Sequence, residues 1–135
     1  MSRNIEAIEG IGRKTGARLR QAGVYTVEKL LETGCSKPGR RGLSAATSIN
    51  EQQLLRCVNM ADLFRINGVA GQYAELLEAA GVDTVKELRN RNAENLATRM
   101  AEVNASRKLV RVTPSSRVVA KWVAQAKVLP PMVTH

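Results

Sequence analysis

Sliding the chain against itself by 58 residues lays Ile8–Leu30 over Ile66–Leu88. The identical pairs are Ile8/Ile66, Gly10/Gly68, Leu19/Leu77, Ala22/Ala80, Gly23/Gly81, Val24/Val82, Thr26/Thr84, Val27/Val85 and Leu30/Leu88. Ile11/Val69 and Gly12/Ala70 are near matches. Apart from the threonines these are apolar or glycine positions, the ones a fold constrains, so a duplicated structural module is expected. A second echo, at a shift of 65, aligns Leu54–Val58 with Val119–Val123 and Ala61 with Ala126. The growth of the shift from 58 to 65 gives the second copy about seven extra residues, assigned to Val103–Thr113. The expected organisation is one module over 1–62 and a degenerate one over 63–135, packed as one domain.

Each copy has helical periodicity. Thr15–Ala22 and Gln72–Ala80 run without a breaker, and Gly23 and Gly81 stand where a left-handed C-terminal cap belongs. Thr84-Val85-Lys86-Glu87 has capping-box spacing, and Thr26 caps the counterpart helix. Further helices are predicted at Pro38–Thr47, Asn50–Asn59, Ala93–Glu102 and Ser115–Lys127, with Asn50 and Ser115 as N-caps. Joints are expected at Gly34–Gly39 and Asn104–Pro114, and Leu109–Val112 is the one short strand candidate. The class is all-α, about four short helices per module.

The chemistry concentrates in Ile8-Glu9-Gly10-Ile11-Gly12 and the run after it. Gly10 and Gly12 are expected to take backbone angles closed to other residues and to leave no side chain between the backbone amides and a ligand. The start of a helix presents unpaired N–H groups, which suit a phosphate oxygen. Arg13, Lys14, Arg18 and Arg20 follow with no acid among them, and Lys14 and Arg18 share a helical face. Gly10, Ile11, Gly12, Arg13, Lys14 and Arg18 are therefore the expected nucleic-acid-binding residues, gripping backbone phosphate without reading sequence. In the second copy Gln72 and Leu76 replace Lys14 and Arg18, while Glu75 and Glu78 join the helix. That hairpin is expected to be mainly structural, with Leu76 packing against another helix or a partner.

The stretch Ile8–Lys14, closed by Ala22-Gly23, resembles the helix-hairpin-helix motif of non-sequence-specific DNA-binding proteins, a turn similar also to sterile-alpha-motif-like turns. Through Asn59–Leu88, Glu94–Asn104 and Val118–Lys127 the whole chain resembles an uncharacterised double helix-hairpin-helix family of the domain-of-unknown-function type. The resemblance implies a compact helical tandem that binds DNA, and no established activity.

Composition bounds the alternatives. Lys and Arg number 21 against 12 Asp and Glu, a formal net charge of +9 over 135 residues, and nucleic acid is the common partner of such a balance. Apolar residues make up 44 % but aromatics only 3 %, so an aliphatic core is expected and base-stacking surfaces are not. Trp122, at the repeat position of Cys57, reads as a core anchor, with Phe64 and Tyr73 packed around the second hairpin. Cys35 and Cys57 read as reduced, small apolar residues. The one histidine, His135, ends the chain and is expected to be disordered. Without it and without paired carboxylates no catalytic constellation forms, so no enzyme, cofactor or metal site is expected. Gly10-x-Gly12-x-x-x-Gly16 has neither dinucleotide-fingerprint nor Walker spacing. No signal core or spanning run is seen, and a cytoplasmic, membrane-free protein is expected.

Arg40–Asn59 also permits a helix-turn-helix reading with Gln52, Gln53 and Arg56 at base edges, but its recurrence in the apolar Ser115–Lys127 favours packing. The expected function is duplex DNA binding at the first hairpin. The rivals are a protein-interaction adaptor using the second hairpin and an RNA-associated protein.

Overall fold

In a computed structural model that describes residues 3–135, the chain forms a 3-10 turn at Ile5–Ala7 and eight α-helices. These are α1 (Arg13–Gln21), α2 (Val27–Gly34), α3 (Lys37–Thr47), α4 (Glu51–Leu63), α5 (Gln72–Ala79), α6 (Val85–Leu88), α7 (Ala93–Arg107) and α8 (Ser116–Val128). No strand occurs among the described residues, and Leu109–Val112 is irregular. None of these helices is long and apolar enough to cross a membrane.

Short polar side chains set most helix starts. Thr26 accepts from Lys29 N–H at 3.0 Å, Ser36 from Gly39 at 3.1 Å, Asn92 from Asn95 at 3.0 Å and Ser115 from Val118 at 3.3 Å. Each satisfies one N–H that the helix itself leaves open. Thr26→Ala is expected to lower the unfolding free energy by about 1 kcal/mol. Urea denaturation would show this as a lower midpoint with an unchanged slope; an unmoved midpoint would mean that α2 owes nothing to its cap.

The chain forms two compact units: the described residues through Asp62 together with Met132–His135, and Leu63–Pro131. In the first, the 3-10 turn lies against α1 and α2, and α3 packs on both of those helices. Ile5, Ile8, Leu19, Leu30 and Leu54 are fully buried there. In the second, α7 packs on α8 and α5, and α6 packs on α8. Ile66, Leu76, Leu77, Leu88, Leu96, Met100 and Val119 are fully buried, and Trp122 and Phe64 nearly so. Most of the buried apolar residues are Leu and Val, as a chain poor in aromatics requires. Cys57 is buried and Cys35 half-buried, and neither is in a disulfide.

The structure corrects several local expectations. The joint expected at Gly34–Gly39 is shorter than that: α2 runs through Gly34, and α3 begins at Lys37 on the Ser36 cap with Pro38 in its first turn, where a missing N–H costs nothing. Arg40, in the first turns of α3, is 4 % exposed and donates to the carbonyls of Gly34 (2.9 Å), Cys35 (3.1 Å) and Thr134. Burial lowers its pKa, partly offset by Cys35 and Glu51. Thr134 N–H donates to the Cys35 carbonyl at 2.8 Å, and Met132–His135 cluster with the first unit, outside the expected 63–135 module. Helix α7 extends through Arg107, past the expected Glu102, and ends on Lys108 at φ 51°. The Asn104 side chain then pairs with both the N–H and the carbonyl of Val110, closing the extra loop on itself.

Candidate nucleic-acid interface

The first hairpin turns at Gly10, whose φ of 95° lies in the left-handed region that glycine tolerates. Ile8 and Ile11, on either side, are buried and pin the turn to the core, with Ile11 N–H donating to the Ile8 carbonyl at 3.1 Å. Gly12, in contrast, has φ −89° and ψ −166°, ordinary extended backbone. Its expected special angle is absent; what it supplies is bareness. It is the N-cap of α1, gives no side-chain cap hydrogen bond, and a Cβ placed there would touch nothing within 4 Å.

Helix α1 therefore begins with open backbone N–H groups and no acidic residue in its first turn. At about 100° per residue, Arg13, Lys14 and Arg18 fall within roughly 140° of one another. All three are exposed, as are Gly10 and Gly12. Arg20 leaves this group: it pairs with Glu6 at 3.4 Å and donates to Asn4 Oδ1 at 3.2 Å. Gly16 permits that contact, since a Cβ there would come within 2.9 Å of Glu6 Oε1. Of the six expected residues, five line an exposed basic edge and Ile11 holds it from beneath.

Arg56 is an addition. Its Nη1 donates to the Glu9 carbonyl at 3.2 Å and lies under Gly10, where a Cβ would meet it at 2.7 Å. From α4 the half-buried Arg56 thus braces the turn and adds positive charge beside it. The 47 residues between Arg56 and Glu9 leave no local signal of this pairing.

The second hairpin has a similar backbone and different surroundings. Gly68 has φ 92°, and Val69 N–H donates to the Ile66 carbonyl at 3.1 Å, as Ile11 does to Ile8. The ends of α1 and α5 also agree: Val24 donates to Leu19 and Val82 to Leu77, both at 2.9 Å, around Gly23 and Gly81 at positive φ. This is the Schellman arrangement of bonds. However, α5 starts at Gln72, one position later in register than α1, behind Gly71 at φ 51°. Asn67 N–H is taken by Gln125 Oε1 at 2.9 Å. Leu76, the apolar residue assigned to the adaptor's partner face, is fully buried and cannot present itself to a partner.

Several cations in the second unit are consumed by the fold. Arg89 donates to the carbonyls of Ala126 (3.2 Å) and Leu129 at the end of α8, and Arg65 to that of Pro130 at 2.7 Å. No group of three or more His, Cys, Asp or Glu placed to hold a metal occurs among the described residues.

Eight α-helices among the described residues, with a glycine turn exposing a basic helix start, define a small all-helical protein. The chain belongs to the family described as "Domain of unknown function (DUF4332)", which it matches over residues 9–129. No curated protein and no solved structure matches it.

Proposed function

We propose that this protein is a non-enzymatic, cytoplasmic nucleic-acid-binding protein that holds duplex DNA by its backbone phosphates at the first hairpin. The observation that carries the reading is the uncapped start of α1 behind Gly12, with Arg13, Lys14 and Arg18 exposed beside it and no acid in its first turn. Backbone amides there hydrogen-bond phosphate oxygen, and the side chains neutralise its charge. Neither recognises a base, so affinity without sequence preference follows.

The chain is read as two degenerate helix-hairpin-helix modules. The repeated positive φ at Gly10 and Gly68, the repeated helix-ending bonds and the Thr26 and Thr84 caps support the duplication. The contrast between copies supports the choice of site: in the second, Asn67 N–H is occupied and no cation stands at Gln72 or Leu76.

Titration with short duplexes of unrelated sequence between roughly 50 and 200 mM salt tests this. Three phosphate-neutralising side chains predict a slope of log K against log salt of about −3. Affinity should be the same for each sequence. A flat salt dependence, or strong preference for one duplex, would overturn the reading. An RNA duplex in parallel shows whether the grip is confined to the B-form helix.

A further inference from the structure

We infer that the second unit carries a docking groove for an acidic peptide segment bearing one large apolar side chain. The inference is independent of the DNA reading and uses none of its residues. The groove, of about 440 Å³, is lined by Gly68, Tyr73, Val112, Pro114, Val118 and Trp122, among others. That volume lies in the range of about 300–1,000 Å³ found for specific ligand sites. It is open to solvent along one side, and its walls are mainly apolar. Val112 is 71 % exposed and Val118 38 %, so two aliphatic side chains stand in water at its rim. Covering them with an apolar side chain is favourable in proportion to the area removed from water.

Charge selects the kind of partner. Between Val103 and His135 the chain carries six cations, Arg107, Lys108, Arg111, Arg117, Lys121 and Lys127, and no Asp or Glu. Arg111 adjoins Val112, while Arg117 and Lys121 lie to one side of Val118 on α8, about 100° and 60° away. All three are exposed. On α5 the two acids stand well away from Tyr73, Glu75 by about 160° and Glu78 by about 140° around the helix. An apolar anchor with carboxylates on either side meets the groove and its rim together.

Nucleic acid fits this groove less well. Trp122 is only 4 % exposed and meets Tyr73 edge-on, with ring centroids 6.0 Å apart at 67°. The Tyr73 hydroxyl donates to the Val112 carbonyl at 3.0 Å. Trp122 thus leaves almost no ring surface open for a base to stack on, and the Tyr73 hydroxyl is already engaged. An enclosed small molecule fits less well too, because the open side leaves much of it in water.

Trp122 is the sole tryptophan, so its emission reports occupancy directly. The probe is a synthetic peptide with one phenylalanine between runs of aspartate, titrated into the full chain. A saturable change in emission that weakens with salt is expected. Replacing the phenylalanine by alanine, the aspartates by lysines, or Val118 of the protein by glutamate (Val118→Glu) should each weaken binding at least about tenfold. Val112→Glu is a second variant on a more exposed side chain, should Val118→Glu disturb folding. Flat emission, equal binding of the lysine peptide, or undiminished binding by both variants overturns the inference. So does a single-stranded oligonucleotide that gives the same change and displaces the peptide.

Discussion

Lys14→Glu together with Arg18→Glu is expected to weaken binding to duplex DNA about 100-fold at roughly 50 mM salt and to reduce the salt slope by about 2. Both side chains are exposed on one face of α1 and stand on no buried partner, so the fold should survive their reversal. Each loses a phosphate contact and its released counterion, and each then places a carboxylate where the phosphate would sit. The loss should be equal for every duplex sequence, because neither side chain is placed to read bases. Gln72→Glu, on the second hairpin, is the control and should change affinity by about twofold at most. A double variant that binds as tightly as the parent, with helical circular dichroism intact, would remove the first hairpin from consideration.

The largest stability effect is expected at Gly39. A Cβ at this position would fall inside contact distance of the Thr33 backbone carbonyl oxygen and 3.1 Å from Ser36 Oγ. Neither is the far end of a flexible side chain. To admit the methyl, the start of α3 must move off α2, and the Ser36 cap on Gly39 N–H must lengthen. The carbonyls that bind Arg40 lie in the same turn, so its buried guanidinium would lose partners as well. Gly39→Ala is therefore expected to cost about 3 kcal/mol. Gly42→Ala, in the same helix with nothing within 4 Å of the added Cβ, should instead stabilise by about 0.5–1 kcal/mol. The difference between the two urea midpoints measures the close approach of α3 to α2. Equal midpoints would mean that the turn relaxes without loss.

Local signals were legible where one segment settles its own conformation. Thr26, Thr84 and Ser115 start helices because their side chains bond an N–H three residues on, a relation visible in the sequence. Gly10, Gly23, Gly68 and Gly81 take positive φ where the pattern required it. Burial of Trp122 and Phe64 was also legible, since a chain with few aromatics uses them where area counts most.

Legibility ended where a residue's role depends on distant backbone. Gly12 was read by its spacing from Gly10, but φ depends on how α1 leaves the turn. Nothing beside Arg40 in the sequence marks it as buried, because the carbonyls that hold it include one 94 residues away. Arg56 looked like a base-reading side chain until the first hairpin lay against it. Gln125 gave no sign that it occupies an amide of the second hairpin.

The sequence alone determined the all-helical class, the glycine turns at Gly10 and Gly68 and the basic run that follows only the first of them. These follow from apolar periodicity, glycine placement and charge order, all carried by neighbouring residues. Tertiary structure alone decided which polar groups remain available. Arg20, Arg40, Arg65 and Arg89 are spent on internal carbonyls and carboxylates, and Leu76 is sealed in the core. The physical reason is that a polar group left unpaired on burial is costly, so the fold assigns partners by proximity in space, which the order of residues does not reveal.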